Sequence, residues 1–229
     1  MNSQTITREE LSRLFDHTNL KPNATDEDFK RLTDEAKQIH AAMVAINSAP
    51  VAYCHQLLKD TDIHVGAAIA FPLGQMTTAS KLAEAKNAID DGADEIDYVI
   101  NVGDAIMHRY DAIRAEMEAM VELCHKHHKI IKVIFENCYL SKEEIKELAL
   151  IAKAVKPDFI KTSTGFGTGG ATVEDVRLMK ETVGDEVGVK AAGGVRTWEQ
   201  CANMIDAGAT RIGTSSSFAI LKGYDEAHQ

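Results

Sequence analysis

Four cysteines in 229 residues (Cys54, Cys124, Cys138 and Cys201) are too few and too scattered for a disulfide framework, and none forms a Cys-x-x-Cys pair. That usage reads as reduced thiols in a cytoplasmic protein. Proline is scarce as well, at 4 residues, and no low-complexity linker interrupts the chain, so residues 1–229 read as a single domain. No window approaches the roughly 20 apolar residues of a membrane span, and the first ten residues lack an apolar signal core. Basic residues are in deficit, 25 against 35 acidic, for a net charge of −10. This argues against nucleic acid or an anionic membrane as partner, since both require a basic face. A phosphorylated small molecule stays open, because a few local cations and backbone amides bind phosphate against an acidic background.

What the chain does have is a regular alternation. Hydrophobic residues make up 45% and charged residues 26%, enough for a substantial core. Strand-like runs fall at 15–20, 43–47, 64–71, 95–101, 130–136, 159–163, 187–192 and 211–214. An N-terminal helix is expected near 7–14. Amphipathic stretches at 26–39, 78–91, 113–125, 142–155, 173–182 and 197–207 separate the strands. Thr25, Ser141, Thr172 and Thr197 stand where N-caps belong, with acidic residues close behind Ser141 and Thr197. Gly92, Gly184 and Gly208 stand where left-handed C-caps would fall.

Eight strands alternating with helices imply an α/β parallel sheet, either open or closed. The length suits a (β/α)₈ TIM barrel with short loops. The open, doubly wound alternative lacks its Gly-x-Gly-x-x-Gly turn after the first strand. Side-chain parity also favours closure. In 130–136 one face carries Lys132 and Glu136 and the other Ile131, Val133 and Phe135. In 95–101 Asp97 and Asn101 oppose Ile96, Tyr98 and Ile100. Asp16 joins Thr18 on one face, Lys161 joins Phe159 and Ser163, and Lys190 joins Gly188. An open sheet covered by helices is apolar on both faces, whereas one polar face belongs inside a barrel.

On that reading Asp16, Asp97, Lys132, Lys161 and Lys190 converge on one interior. A purely structural ion network is the plain alternative, but apolar residues would serve that purpose at no greater cost. A functional reading has a mechanism. Neighbouring cations repel, burial disfavours charge, and one amine becomes a neutral nucleophile able to form an iminium with a carbonyl. Asp97 is placed to shuttle protons, and no metal or other cofactor is required. Lys132 should lie deeper, in support. Lys161 and Lys190 both fall near strand ends, where barrel enzymes keep catalytic groups, and the residues alone do not rank them.

Glycine clusters follow the last three strands. Gly193, Gly194 and Gly213, with Ser215 and Ser216, suit a phosphate site in the loops after strands 7 and 8. Gly167, Gly169 and Gly170 fit tight turns equally well. His125, His127 and His128 close a helix, where cations suit the dipole, and do not read as a metal site. Cys138 reads as a small packing residue, and Trp198 as helix packing.

Six segments carry a family resemblance: Asp16–Pro22 (DHTNLKP), Phe71–Gly74 (FPLG), Gly92–Asp97 (GADEID), Phe159–Phe166 (FIKTSTGF), Val189–Arg196 (VKAAGGVR) and Gly208–Ser216 (GATRIGTSS). In this order they resemble the deoxyribose-phosphate aldolases across most of the chain. The resemblance implies a cofactor-free Schiff-base aldolase on a (β/α)₈ barrel, acting on a sugar phosphate and an aldehyde. It implies Lys161 as the Schiff-base lysine, Lys190 as the cation that keeps it neutral, and Asp97 as the proton relay. Lys132, Asp16 and Thr18 would support them, and Gly165, Gly193, Gly194, Gly213 and Ser215 would hold phosphate. It also suggests a homo-oligomer, either a dimer or a tetramer, with the dimer favoured. Ala45 departs from a cysteine common in relatives, Phe166 from a lysine that contacts phosphate in some, and Gln229 from a terminal tyrosine, leaving open whether Tyr224 substitutes. Two other readings share the scaffold: a phosphate-binding isomerase or synthase without covalent catalysis, and a barrel that binds sugar phosphate without turnover.

Overall fold

The computed structural model describes residues 2–229. Helix α1 (Arg8–Ser12) leads into β1 (Phe15–Thr18), followed by α2 (Asp26–Ile39), β2 (Met43–Asn47), α3 (Val51–Leu58) and β3 (His64–Ile69). Next come α4 (Thr78–Asp90), β4 (Glu95–Val99), α5 (Val102–Ile106), α6 (Tyr110–Lys126), β5 (Ile130–Ile134) and a 3₁₀ turn at Asn137–Tyr139. The chain closes with α7 (Lys142–Val155), β6 (Phe159–Lys161), α8 (Val173–Val183), β7 (Gly188–Ala192), α9 (Trp198–Asp206), β8 (Arg211–Thr214) and α10 (Ser217–Ala227). The eight strands form a closed barrel in sequence order, and β8 pairs in parallel with β1.

The helix starts follow the expected chemistry. Thr25, Ser141, Thr172 and Thr197 each accept a backbone N–H three residues on. The box at Thr197 is closed by Gln200 rather than by the neighbouring Glu199. Gly92, Gly184 and Gly208 all have positive φ. Gly184, with ψ −139°, lies outside the left-handed helical region, whereas the C-cap residues His40 and Lys156 lie inside it.

Several strands stop short of their expected ends. The fourth, fifth and sixth finish at Val99, Ile134 and Lys161. Glu136 turns the chain with φ +59°, and Asn101 caps α5 through its side chain. The Ser163 hydroxyl donates to Thr162 Oγ1. Asn101, Glu136 and Ser163 therefore leave the interior set that parity had suggested.

The two parities have separate fates. Val44, Ile46, Val65, Ile96, Tyr98, Ile131, Val133, Ile160, Val189 and Ile212 all join the main hydrophobic core between barrel and helices. Each such buried side chain contributes roughly 1.5–3 kcal/mol. Met43 and Ala45 form a small separate cluster in the bore with Ala42. Gly66 leaves the space that Met43 fills. The same inward face carries the charged residues Asp16, Glu95, Asp97, Lys132, Lys161, Lys190 and Arg211, with Ala68, Ile134 and Ala192 between them.

Candidate active site

Parallel register sets the site. Lys161, the last residue of β6, lies beside Lys190 of β7, and Asp97 of β4 lies beside Lys132 of β5. Asp97 joins the three lysines. Its Oδ2 accepts from Lys161 Nζ at 2.9 Å and Lys190 Nζ at 2.6 Å, and its Oδ1 from Lys132 Nζ at 2.8 Å. Below them Lys132 also bonds Glu95 and approaches Met43 Sδ at 3.5 Å. Asp16 lies between Lys190 and Arg211: its Oδ2 forms an ion pair with Lys190 Nζ, and its Oδ1 accepts from Arg211 Nε at 2.8 Å. Thr18 donates to the Asp16 carbonyl oxygen at 2.8 Å. At the far rim His64 Nδ1 donates to Glu95 Oε1 at 2.7 Å.

Asp16, Glu95, Asp97, Lys132, Lys161, Lys190 and Arg211 are almost entirely shut from water, whereas Thr18 and His64 are half-buried. Burial is the largest influence on Lys161; repulsion from Lys190 and Lys132 adds to it and Asp97 opposes it, leaving the amine pushed down to about 8. Burial alone would raise Asp97, but Lys132, Lys161 and Lys190 overcome it and hold the carboxyl well below the usual range. Burial also disfavours charge on Lys132, yet Asp97, Glu95 and Asp16 more than compensate and keep it firmly protonated. The two lysines facing Asp97 from β5 and β6 are thus driven in opposite directions: Lys132 is a fixed cation, whereas Lys161 releases its proton near neutral pH.

Above the lysines a cavity of about 230 Å³ opens at the C-terminal ends of the strands. Lys161, Lys190 and Thr18 line its floor and Gly165, Gly193, Gly194, Gly213 and Ser215 its walls. Asp97, Asp16 and Lys132 lie beneath it. Gly193 and Gly194 have φ of +83° and +84°, which only glycine adopts without strain. A side chain at Gly213 would crowd Ala192 Cβ at 2.9 Å and Lys190 Cε at 3.1 Å. No carboxylate lines the cavity, although the chain as a whole is acidic.

A family model describing DeoC/LacD family aldolases matches residues 11–222. The chain belongs to the DeoC/LacD aldolase family. It is 58% identical over 216 residues to the deoxyribose-phosphate aldolase of Lactobacillus acidophilus, covering 94% of this chain and 91% of that one. It is 50% identical to the Thermococcus gammatolerans deoxyribose-phosphate aldolase over 93% of this chain and 96% of the relative. Among solved structures, the aldolase QR15 superposes with a TM-score of 0.89 at 34% identity, covering 95% of this chain and 97% of QR15. The tetrameric deoxyribose phosphate aldolase of Aeropyrum pernix superposes with a TM-score of 0.90 at 28% identity, covering 96% and 93%.

Several details of this aldolase-family barrel escaped the sequence. Arg211 and Glu95 complete the buried network; their only signal was parity, Glu95 with Asp97 and Arg211 with Gly213. Lys21 and Arg196 line the cavity, and among the described residues neither side chain has a carboxylate within ion-pair distance. Glu136 anchors the loop after β6 by accepting from Thr164 N and Oγ1. Gly167 packs against Cys138, and Gly170 against the Gly193 carbonyl, so these two belong to loop packing outside the cavity. Cys138 is half-buried in that loop contact rather than in the core. His125 does have an acidic partner, Asp158, at 3.0 Å. Ala45 lines the cavity and Phe166 stands at its rim, edge-on to Phe71 at 5.4 Å. Trp198 packs on Tyr224 with ring centroids 5.0 Å apart. Tyr224 donates to the Ile6 carbonyl at 2.8 Å, away from the cavity.

Proposed function

We propose that this chain is a Schiff-base aldolase that reversibly cleaves 2-deoxy-D-ribose 5-phosphate to acetaldehyde and D-glyceraldehyde 3-phosphate. The observation that carries the reading is the single Asp97 oxygen shared by two lysines at the floor of a cavity free of carboxylates. With Lys161 at about 8, roughly one amine in ten is neutral at pH 7. That amine attacks C1 of the open-chain sugar, and loss of water from the carbinolamine leaves an iminium. As the C3 hydroxyl gives up its proton, the C2–C3 bond breaks; its electrons flow into the iminium to make an enamine, and the phosphorylated aldehyde departs. Protonation of the enamine at C2 and hydrolysis release acetaldehyde and restore Lys161. Asp97, held ionised, relays these protons through water, with the Lys190 side chain beside it as the neighbouring amine. Lys132, Asp16 and Thr18 hold the constellation in place.

The phosphate is assigned to the backbone amides of Gly165, Gly193, Gly194 and Gly213, with Ser215 at the approach to α10. Lys21 and Arg196 add positive charge to it. The setting is cytoplasmic, in keeping with four free thiols. The assembly is a homodimer, to be checked by light scattering.

Borohydride reduction in the presence of acetaldehyde, followed by peptide mass spectrometry, tests the chemistry. An ethyl adduct on Lys161 is expected, and Lys161→Ala should abolish both adduct and turnover. An active wild-type protein that yields no adduct at Lys161 overturns the Schiff-base reading.

A further inference from the structure

The bore holds an uneven set of charges. Lys132, Lys161, Lys190 and Arg211 face Asp16, Glu95 and Asp97, four cations against three carboxylates, all buried. Arg211 makes no contact with Lys161. Its guanidinium instead spans Asp16 Oδ1, at 2.8 Å from Nε, and both Glu95 oxygens, at 3.2 Å from Nη2. Its far face rests 5.6 Å from the centre of the Phe159 ring. Asp16 therefore has one oxygen occupied by Arg211 and presents the other to Lys190.

We propose that Arg211 is a positioning residue for the aldol reaction: it fixes Asp16 beneath Lys190 and supplies the surplus positive charge of the barrel interior. Release of one proton from a lysine makes that interior neutral. Lys132 is held by Glu95 and Asp97, and Lys190 by Asp16 and Asp97, while Lys161 has Asp97 alone. The proton therefore leaves Lys161. Without Arg211 the fully protonated interior is already balanced, and the neutral amine becomes a buried net negative state. The other charges facing this set are Glu136, near Lys161, and His64, on Glu95; Glu136 is common to every comparison below, and because Glu95 is the partner of His64 the comparisons are made in a His64→Gln background.

This rests on Lys161 as the nucleophile, so the readout is independent of turnover. Proteins labelled with ¹³C at the lysine Cε are titrated by NMR, with the Lys161 signal assigned by its loss in Lys161→Ala. Arg211→Met should move the Lys161 midpoint upward by about one pH unit or more, lowering the neutral fraction at pH 7 about ten-fold. Glu95→Gln, which enlarges the surplus, should move it downward, and the double variant R211M/E95Q should return it towards wild type. Arg211→Lys should stay near wild type. If Arg211→Met does not fold, the opposite displacement in Glu95→Gln still decides. A Lys161 midpoint unchanged or raised in Glu95→Gln, or unchanged in folded Arg211→Met, overturns the proposal. Absence of a trapped adduct in wild type would instead strike at the Schiff-base reading and leave these titrations interpretable.

Discussion

Replacing Lys190 by leucine separates the two lysines most directly. Both ammonium nitrogens contact one Asp97 oxygen, at 2.9 and 2.6 Å, so they lie no more than about 5.5 Å apart. At that separation, with an effective dielectric of about 20, their repulsion is roughly 3 kcal/mol, or about two pH units of midpoint. Lys190→Leu should therefore carry Lys161 from about 8 to roughly 10. At pH 7 the neutral fraction falls about 100-fold, and the rate of imine formation falls with it. The sign is set by the protonated form: a raised midpoint keeps Lys161 charged further into alkali, so activity is lost at low pH and regained as pH rises. The fold should survive, because Asp97 keeps Lys132 and Lys161 and Asp16 keeps Arg211. The assay is kcat/KM for 2-deoxyribose 5-phosphate cleavage from pH 6 to 10. Near-full activity at pH 7, or an equal loss at every pH, would refute the electrostatic role.

Two further outcomes concern the mouth and the tail. Arg196→Met and Lys21→Met should each raise KM for the phosphorylated sugar severalfold and leave unphosphorylated deoxyribose unaffected, as steady-state kinetics on both substrates will read; equal effects on both would remove these cations from phosphate recognition. Tyr224→Phe loses the bond to the Ile6 carbonyl and should cost about 1–3 kcal/mol, read as a lower Tm, with kcat unchanged because the residue lies outside the cavity.

Legibility in the sequence tracked local chemistry. The longer helices with a side-chain cap, opened by Thr25, Ser141, Thr172 and Thr197, were readable to within a residue or so, whereas the five-residue α5 was missed despite its Asn101 cap, because Asn101 had been read as the end of a strand. Helix α3 opens at Pro50 and α10 at Ser216, neither with a side-chain cap bond, and both were missed. Helix α6 begins at Arg109, also without such a bond, and its expected start fell three residues late. Parity brought Asp97, Lys132, Lys161 and Lys190 together because the period of two survives in every strand. It failed at Asn101, Glu136 and Ser163, where the chain remains extended or turns but no longer alternates across the barrel wall. Arg211 stayed hidden because its partners lie 195 and 116 residues away, a pairing visible only once the barrel closes.

The division between an apolar outer shell and a charged bore makes this barrel an annulus in mechanical terms. Its cohesion lies in a ring outside the strands, where Tyr98, Ile96 and Val133 meet the helices. Its chemistry lies on the axis. Substitutions that tighten the ring can raise thermal resistance without changing the acidity of Lys161, so durability and reactivity can be selected on separate residues. The axis offers no such freedom: each charge there is counted against every other, and a change at one position must be answered at a second.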